Sequence, residues 1–135
     1  MKKTDWLDAL VSNWSSFDYM YKHVAKLKII LTLIGKSEVQ NAFLFDSEDV
    51  DIISPMSYFN NLTEEITIYR GGDALTVQNG ICWSLDRNIA NQFCSTVKLA
   101  RYRADNPLII EKTINKNDIF GLVLDRGELE VIWFE

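Results

Sequence analysis

Hydrophobic positions follow two different rhythms along the 135-residue chain. Over the first third they recur at three- and four-residue spacing, which places them on one face of a helix. Trp6, Leu7, Leu10, Val11 and Trp14 form the first such set, with Thr4 as its cap. Phe17, Met20, Val24, Leu27, Leu31 and Ile34 form a longer one, opened by Ser15 and Asp18 at capping-box spacing and stopped near Gly35. Ser37 and Gln40 repeat that spacing and predict a third, shorter helix through Phe45. From residue 65 the rhythm changes to short β-type runs separated by turn residues. In EITIYR (65–70), Ile66 and Ile68 alternate with Thr67 and Tyr69, and the run then meets Gly71-Gly72, where a sharp bend is expected. ICWSL (81–85) follows Asn79-Gly80, and Asp86 caps a helix through Ile89, Ala90 and Phe93. PLIIEKTI (107–114), a segment from Ile119 to Leu124, and ELEVIWF (128–134) complete the strands. The expected fold is α+β in one domain, a helical part at 1–60 packed on a mainly antiparallel β part at 61–135.

Composition narrows the class. With 47% hydrophobic and 24% charged residues, 6 Gly and 2 Pro, this is ordinary globular material. The longest strongly apolar run, Ile29 to Ile34, is far short of the ~20 residues of a membrane-spanning helix. MKKTDWLDAL places Asp5 and Asp8 where a signal peptide needs an apolar run. A cytoplasmic protein is the resulting expectation. Cys82 and Cys94 are too few for a disulfide framework. A net charge of −5 argues against general nucleic-acid binding through phosphates. No metal is expected either: His23 is the sole histidine, and the acidic run Asp46, Glu48, Asp49, Asp51 lacks calcium-loop spacing and its turn glycine. The arginines all lie at or after Arg70, so the side chain best shaped for phosphate is confined to the β part.

Three places carry candidate chemistry. Glu128 and Glu130 flank Leu129, and on a regular strand they share one face. That face is either the solvated side of an edge strand or the wall of a cleft. Arg70 ends an apolar strand before two glycines, where it either forks onto an anionic ligand or pairs with a glutamate on a neighbouring strand. Lys98, Arg101 and Arg103 offer positive charge after the Asp86 helix, as a solvated helix end or as an anion contact.

Taken as an ordered set, IYRGG (68–72), GICWSLDRNIANQF (80–93) and RGELEVIW (126–133) resemble the arginine-serine-glutamate class of mono-ADP-ribosyltransferases. The resemblance covers about half the chain. It implies an ADP-ribosyltransferase-type core, NAD as co-substrate, and transfer of ADP-ribose to a protein, with release of nicotinamide. Arg70 would then hold the NAD phosphates, and the Gly71 backbone would recognise the nicotinamide amide. Glu130 matches the catalytic glutamate. Glu128 matches the glutamate that engages the acceptor and accompanies arginine as the target. The middle motif, Ser-Thr-Ser in the family, falls on Cys82-Trp83-Ser84, so its first serine is replaced by a thiol, a weaker donor. Either Ser84 takes over that serine's hydrogen bond to the glutamate, or the glutamate is less well held. The resemblance also implies a toxin or effector setting, with an antitoxin or immunity protein as a candidate partner.

The chemistry of such a site can be argued from the residues. Cleaving the nicotinamide–ribose bond creates an oxocarbenium-like centre, which an ionised carboxylate stabilises more than it stabilises the ground state. A second carboxylate would orient a guanidinium acceptor and take its proton. Neither role calls for a metal ion. A glycoside hydrolase fits less well, because its two carboxylates flank the bond from opposite sides. A binding module that has lost turnover, and an NAD glycohydrolase, remain as alternatives.

Overall fold

The computed structural model describes residues 7, 9–11, 14, 24–45, 54–74, 77–95, 107–124 and 129–135, with the backbone alone at 93–95. Among the sequence expectations, the Thr4 cap, the Ser15–Asp18 capping box, His23, the acidic run from Asp46 to Asp51, the Lys98, Arg101 and Arg103 cluster, and Glu128 lie outside these residues.

Helix α1 (Val24–Ile34) buries Leu27, Leu31 and Ile34, the stripe its spacing predicts. Gly35 takes φ = 103°, a backbone conformation that glycine alone adopts without a Cβ penalty. Its N–H donates to Leu31 O at 3.0 Å, and its own carbonyl accepts from Val39 N at 3.1 Å. One residue therefore closes α1 and opens α2 (Lys36–Phe45). This corrects the expected cap at Ser37, which lies inside the first turn. Gln40 reaches instead to the Ile119 carbonyl at 3.1 Å, tying α2 to the sheet.

Sequence periodicity missed α3 (Pro55–Asn61), although its start signal is present. Ser54 caps it, its side chain accepting from Ser57 N at 3.2 Å, and Pro55 fills the first helical turn, where no N–H is needed.

Five strands follow: β1 (Glu65–Asp73), β2 (Cys82–Ser84), β3 (Pro107–Asn115), β4 (Gly121–Val123) and β5 (Glu130–Ile132). Their order across the sheet is β3-β1-β2-β5-β4, and every pairing is antiparallel. The fold is thus α+β, as the hydrophobic pattern predicts. The expected bend at Gly71-Gly72 does not occur: β1 runs through both glycines, paired with β3 from Glu65↔Asn115 to Asp73↔Pro107. Helix α4 (Arg87–Ser95) links β2 towards β3, and it starts at Asp86 as predicted. The Asp86 carboxylate accepts from Asn88 N at 2.8 Å, and its carbonyl accepts from Ala90 N at 3.2 Å.

Alternation along the strands divides the core between the two faces of the sheet. Ile132 faces a cluster with Trp14, Leu31, Ile34, Val39 and Phe43, which the helical part supplies. Val131, Trp83, Leu122, Ile66 and Ile68 face a second cluster with Phe59 and Leu44. Helix α2 contributes to both, with Phe43 on one side and Leu44 on the other. Among the described residues, no helix is long and apolar enough to cross a membrane.

Candidate functional site

Arg70, Ser84 and Glu130 occupy three consecutive strands, β1, β2 and β5. Ser84 is the register partner of Tyr69 on one side and of Glu130 on the other. Two strand spacings, about 10 Å of sheet, therefore separate the backbone of Arg70 from that of Glu130.

The β1–β2 ladder consists of the single pair Tyr69↔Ser84, whereas β2 and β5 pair over three residues. The β1–β2 ladder ends there, and Arg70, which follows Ile66 and Ile68 in alternation, leaves β1 on the face opposite Ser84 and Glu130 before its guanidinium reaches the β2 backbone. Successive carbonyls on a strand point to opposite sides. The Ile81 carbonyl accepts from Trp133 N on the β5 side at 2.9 Å, so the Cys82 carbonyl points towards β1. There it accepts from Arg70 Nη1 at 2.6 Å, and Arg70 Nε donates to Val77 O at 2.7 Å. The half-buried guanidinium lies flat against Gly80, where a Cβ would sit 1.8 Å from Cζ. Gly80 is therefore needed for the close approach of this side chain. The short 3-10 turn Val77–Asn79 supplies the rest of its seat.

Glu130 contradicts the edge-strand alternative. Strand β5 is interior to the sheet, and Glu130 is only 6% exposed. Its Oε2 accepts from the indole Nε1 of Trp14 at 2.5 Å. Ser84 beside it is also buried, and its hydroxyl oxygen accepts from Asp86 N at 3.0 Å, coupling the strand to the start of α4.

The regular alternation expected from Glu128 through Glu130 is interrupted. Strand β5 begins at Glu130, and Leu129 has φ = 48°, in the left-handed region. The Leu129 carbonyl accepts from Leu85 N at 3.1 Å, so this turn is pinned to the end of β2. A left-handed residue at Leu129 breaks the pleat on which a shared face for Glu128 and Glu130 depends.

Cys82, the thiol at the family's first serine, pairs with Ile132 and is half-buried. It lies one same-face step away from Ser84, so Ser84, not Cys82, stands directly across from Glu130. Gly71 is buried in the β1–β3 ladder opposite Ile109, one residue beyond Arg70. Among the described residues, no group of His, Cys, Asp or Glu side chains is placed to hold a metal ion.

Trp14 is the residue that sequence reasoning missed here. Its helical spacing identifies it as core, and it is core, at 1% exposure. A buried indole still needs an acceptor for its N–H, but nothing in the local sequence names one 116 residues away.

Compared with protein-family models, with curated proteins and with solved structures, the chain matches none.

Proposed function

We propose that this protein is an NAD-dependent mono-ADP-ribosyltransferase with an ADP-ribosyltransferase-type core, and that its acceptor is an arginine side chain of a target protein. The observation that carries the reading is the lateral order β1, β2, β5, with Ser84 opposite Glu130. Three motifs far apart in the chain, each weak alone, fall on neighbouring strands.

In this reading NAD binds beyond the Tyr69–Ser84 pair, where the β1–β2 ladder ends, and meets Arg70 and Glu130 from opposite faces of the sheet. Arg70 offers a guanidinium to the pyrophosphate, its position fixed by the Val77 and Cys82 carbonyls. The Gly71 backbone meets the nicotinamide amide. Glu130 faces the ribose and stabilises positive charge as the C1′–N bond breaks. The bonding electron pair leaves with nicotinamide, which departs neutral. A guanidinium nitrogen of the acceptor then forms the new bond to C1′ and gives up a proton, which Glu128 receives. The buried Glu130 carboxylate suits the stabilising role, because its field is screened less than in water.

The test uses labelled NAD with purified protein and cell lysate, followed by mass spectrometry of any labelled band and chromatography of released nicotinamide. Glu130→Gln is expected to bind NAD like the parent by calorimetry and to lose turnover by about 10²–10³-fold, the usual worth of one electrostatic contact to a transition state. A parent protein that leaves NAD intact in the presence of lysate refutes the proposal.

A further inference from the structure

Glu130 and Trp14 are both buried, and the contact between them joins the helical part to the middle of the sheet. Trp14 is itself held in place. Its ring stands edge-on to Phe43, with centroids 5.4 Å apart and planes at 89°. The Phe43 ring rests on Gly121, where a Cβ would come within 2.6 Å of it. Gly121 lies on β4, two residues from Val123, and Val123 pairs with Glu130. The indole and the carboxylate it contacts are thus located by the same stretch of sheet.

We propose that Trp14 is a positioning residue for Glu130. Its N–H fixes the plane of the carboxylate and holds the Oε2 edge as an acceptor. The proposal rests on the reading of Glu130 as the catalytic glutamate. In the family this chain resembles, that hydrogen bond comes from the first serine of the middle motif. Here that position is Cys82, which pairs with Ile132 and carries a weak donor. A strong donor, the Trp14 indole, arrives from the helical layer. An indole N–H suits the task because it donates only: it cannot take a proton from the carboxyl group or offer a competing lone pair. Because its ring is packed on Phe43, orienting the bond costs no side-chain freedom at the moment of reaction.

The experiment compares the parent with Trp14→Phe, which keeps a packed ring and removes the donor. Expected is a fall in kcat for nicotinamide release of about tenfold, with KM for NAD within about twofold, since the bond acts on the reacting carboxylate and not on NAD binding. Unchanged kcat overturns the proposal, and so does a rise, which would make the indole an obstruction. Nicotinamide release absent from the parent refutes the proposed function itself, so the two failures are distinguishable. If Trp14→Phe does not fold, proton NMR of the parent and Glu130→Gln decides. The Trp14 indole proton, assigned through its contact with Phe43, should lie downfield of that of Trp83, whose acceptor is the neutral Trp133 carbonyl at 3.1 Å. It should move upfield when the carboxylate becomes an amide. An indole resonance that ignores Glu130→Gln overturns the assignment.

Discussion

Replacing Gly80 by alanine tests the seat of Arg70 most sharply, because the structure predicts that the effect changes sign with the background. A Cβ at Gly80 would lie 1.8 Å from Arg70 Cζ, 2.0 Å from Nη2 and 2.1 Å from Nε. No adjustment of a few tenths of an ångström relieves that overlap, so the guanidinium must leave. Its departure breaks the bonds to Val77 O at 2.7 Å and Cys82 O at 2.6 Å. A hydrogen bond from a charged donor is worth about 1.5–3 kcal/mol net, and the freed guanidinium regains some water, so a cost of about 2–4 kcal/mol follows. With a urea m-value of roughly 2 kcal/mol/M, the unfolding midpoint should fall by about 1–2 M. In an Arg70→Ala background the three atoms that the methyl group would meet first are gone. Gly80 does not have a positive φ, so alanine is conformationally acceptable there. The same substitution should then stabilise by about 0.4–1 kcal/mol, by restricting the unfolded chain. The double-mutant cycle therefore predicts a coupling of about 3 kcal/mol. Equal costs in the two backgrounds would refute the argument, since the clash would then not be with Arg70. Under the proposed function the single variant should also weaken NAD binding, because it displaces the guanidinium proposed to hold the phosphates.

Two further predictions concern the core and the surface. Gly121→Ala drives a methyl group into the buried Phe43 ring, 2.6 Å from Cγ and Cδ2, and overpacking of this kind costs about 1–3 kcal/mol by denaturant unfolding; since Phe43 supports Trp14, nicotinamide release should fall as well. At the C-terminal end, a hydrogen bond from Lys112 Nζ at 2.9 Å, aided by its positive charge, holds the exposed Glu135 carboxylate below its ordinary value of 4.5. A carboxylate depressed on folding contributes stability above its unfolded value and loses it as pH falls through the lowered one. Lys112→Met should therefore raise the Glu135 titration midpoint in a carboxyl NMR titration, and added salt should shrink the difference.

Local chemistry decided much of this fold from sequence alone. Helical spacing places Leu27, Leu31 and Ile34 on one buried stripe, because side chains three and four apart share a face wherever the helix packs. Alternation in EITIYR, the cap at Asp86 and the stop at Gly35 are equally local, each set by one residue's own geometry. Ser54-Pro55 announces a helix in the same way, but a seven-residue element is too short for periodicity to register. The order of Arg70, Ser84 and Glu130 along the chain was also legible, together with their residue types.

What the chain order leaves open is which strands become neighbours, and only the tertiary structure supplies that. Whether Glu130 meets water or a buried partner depends on β5 lying inside the sheet, between β2 and β4. Strand alternation cannot distinguish an edge from an interior position, because both present the same two faces. The Gly71-Gly72 step reads as a bend, yet pairing with β3 holds it extended, since glycine accepts whatever conformation its neighbours impose. Leu129 breaks the expected pleat for the same kind of reason: a hydrogen bond from Leu85, 44 positions away in the chain, accompanies its left-handed backbone. Trp14 and Glu130 show the limit most clearly. An indole needs an acceptor and a buried carboxylate needs a donor, and each requirement can be read from its residue. That they satisfy one another across 116 residues is decided only when helix and sheet pack.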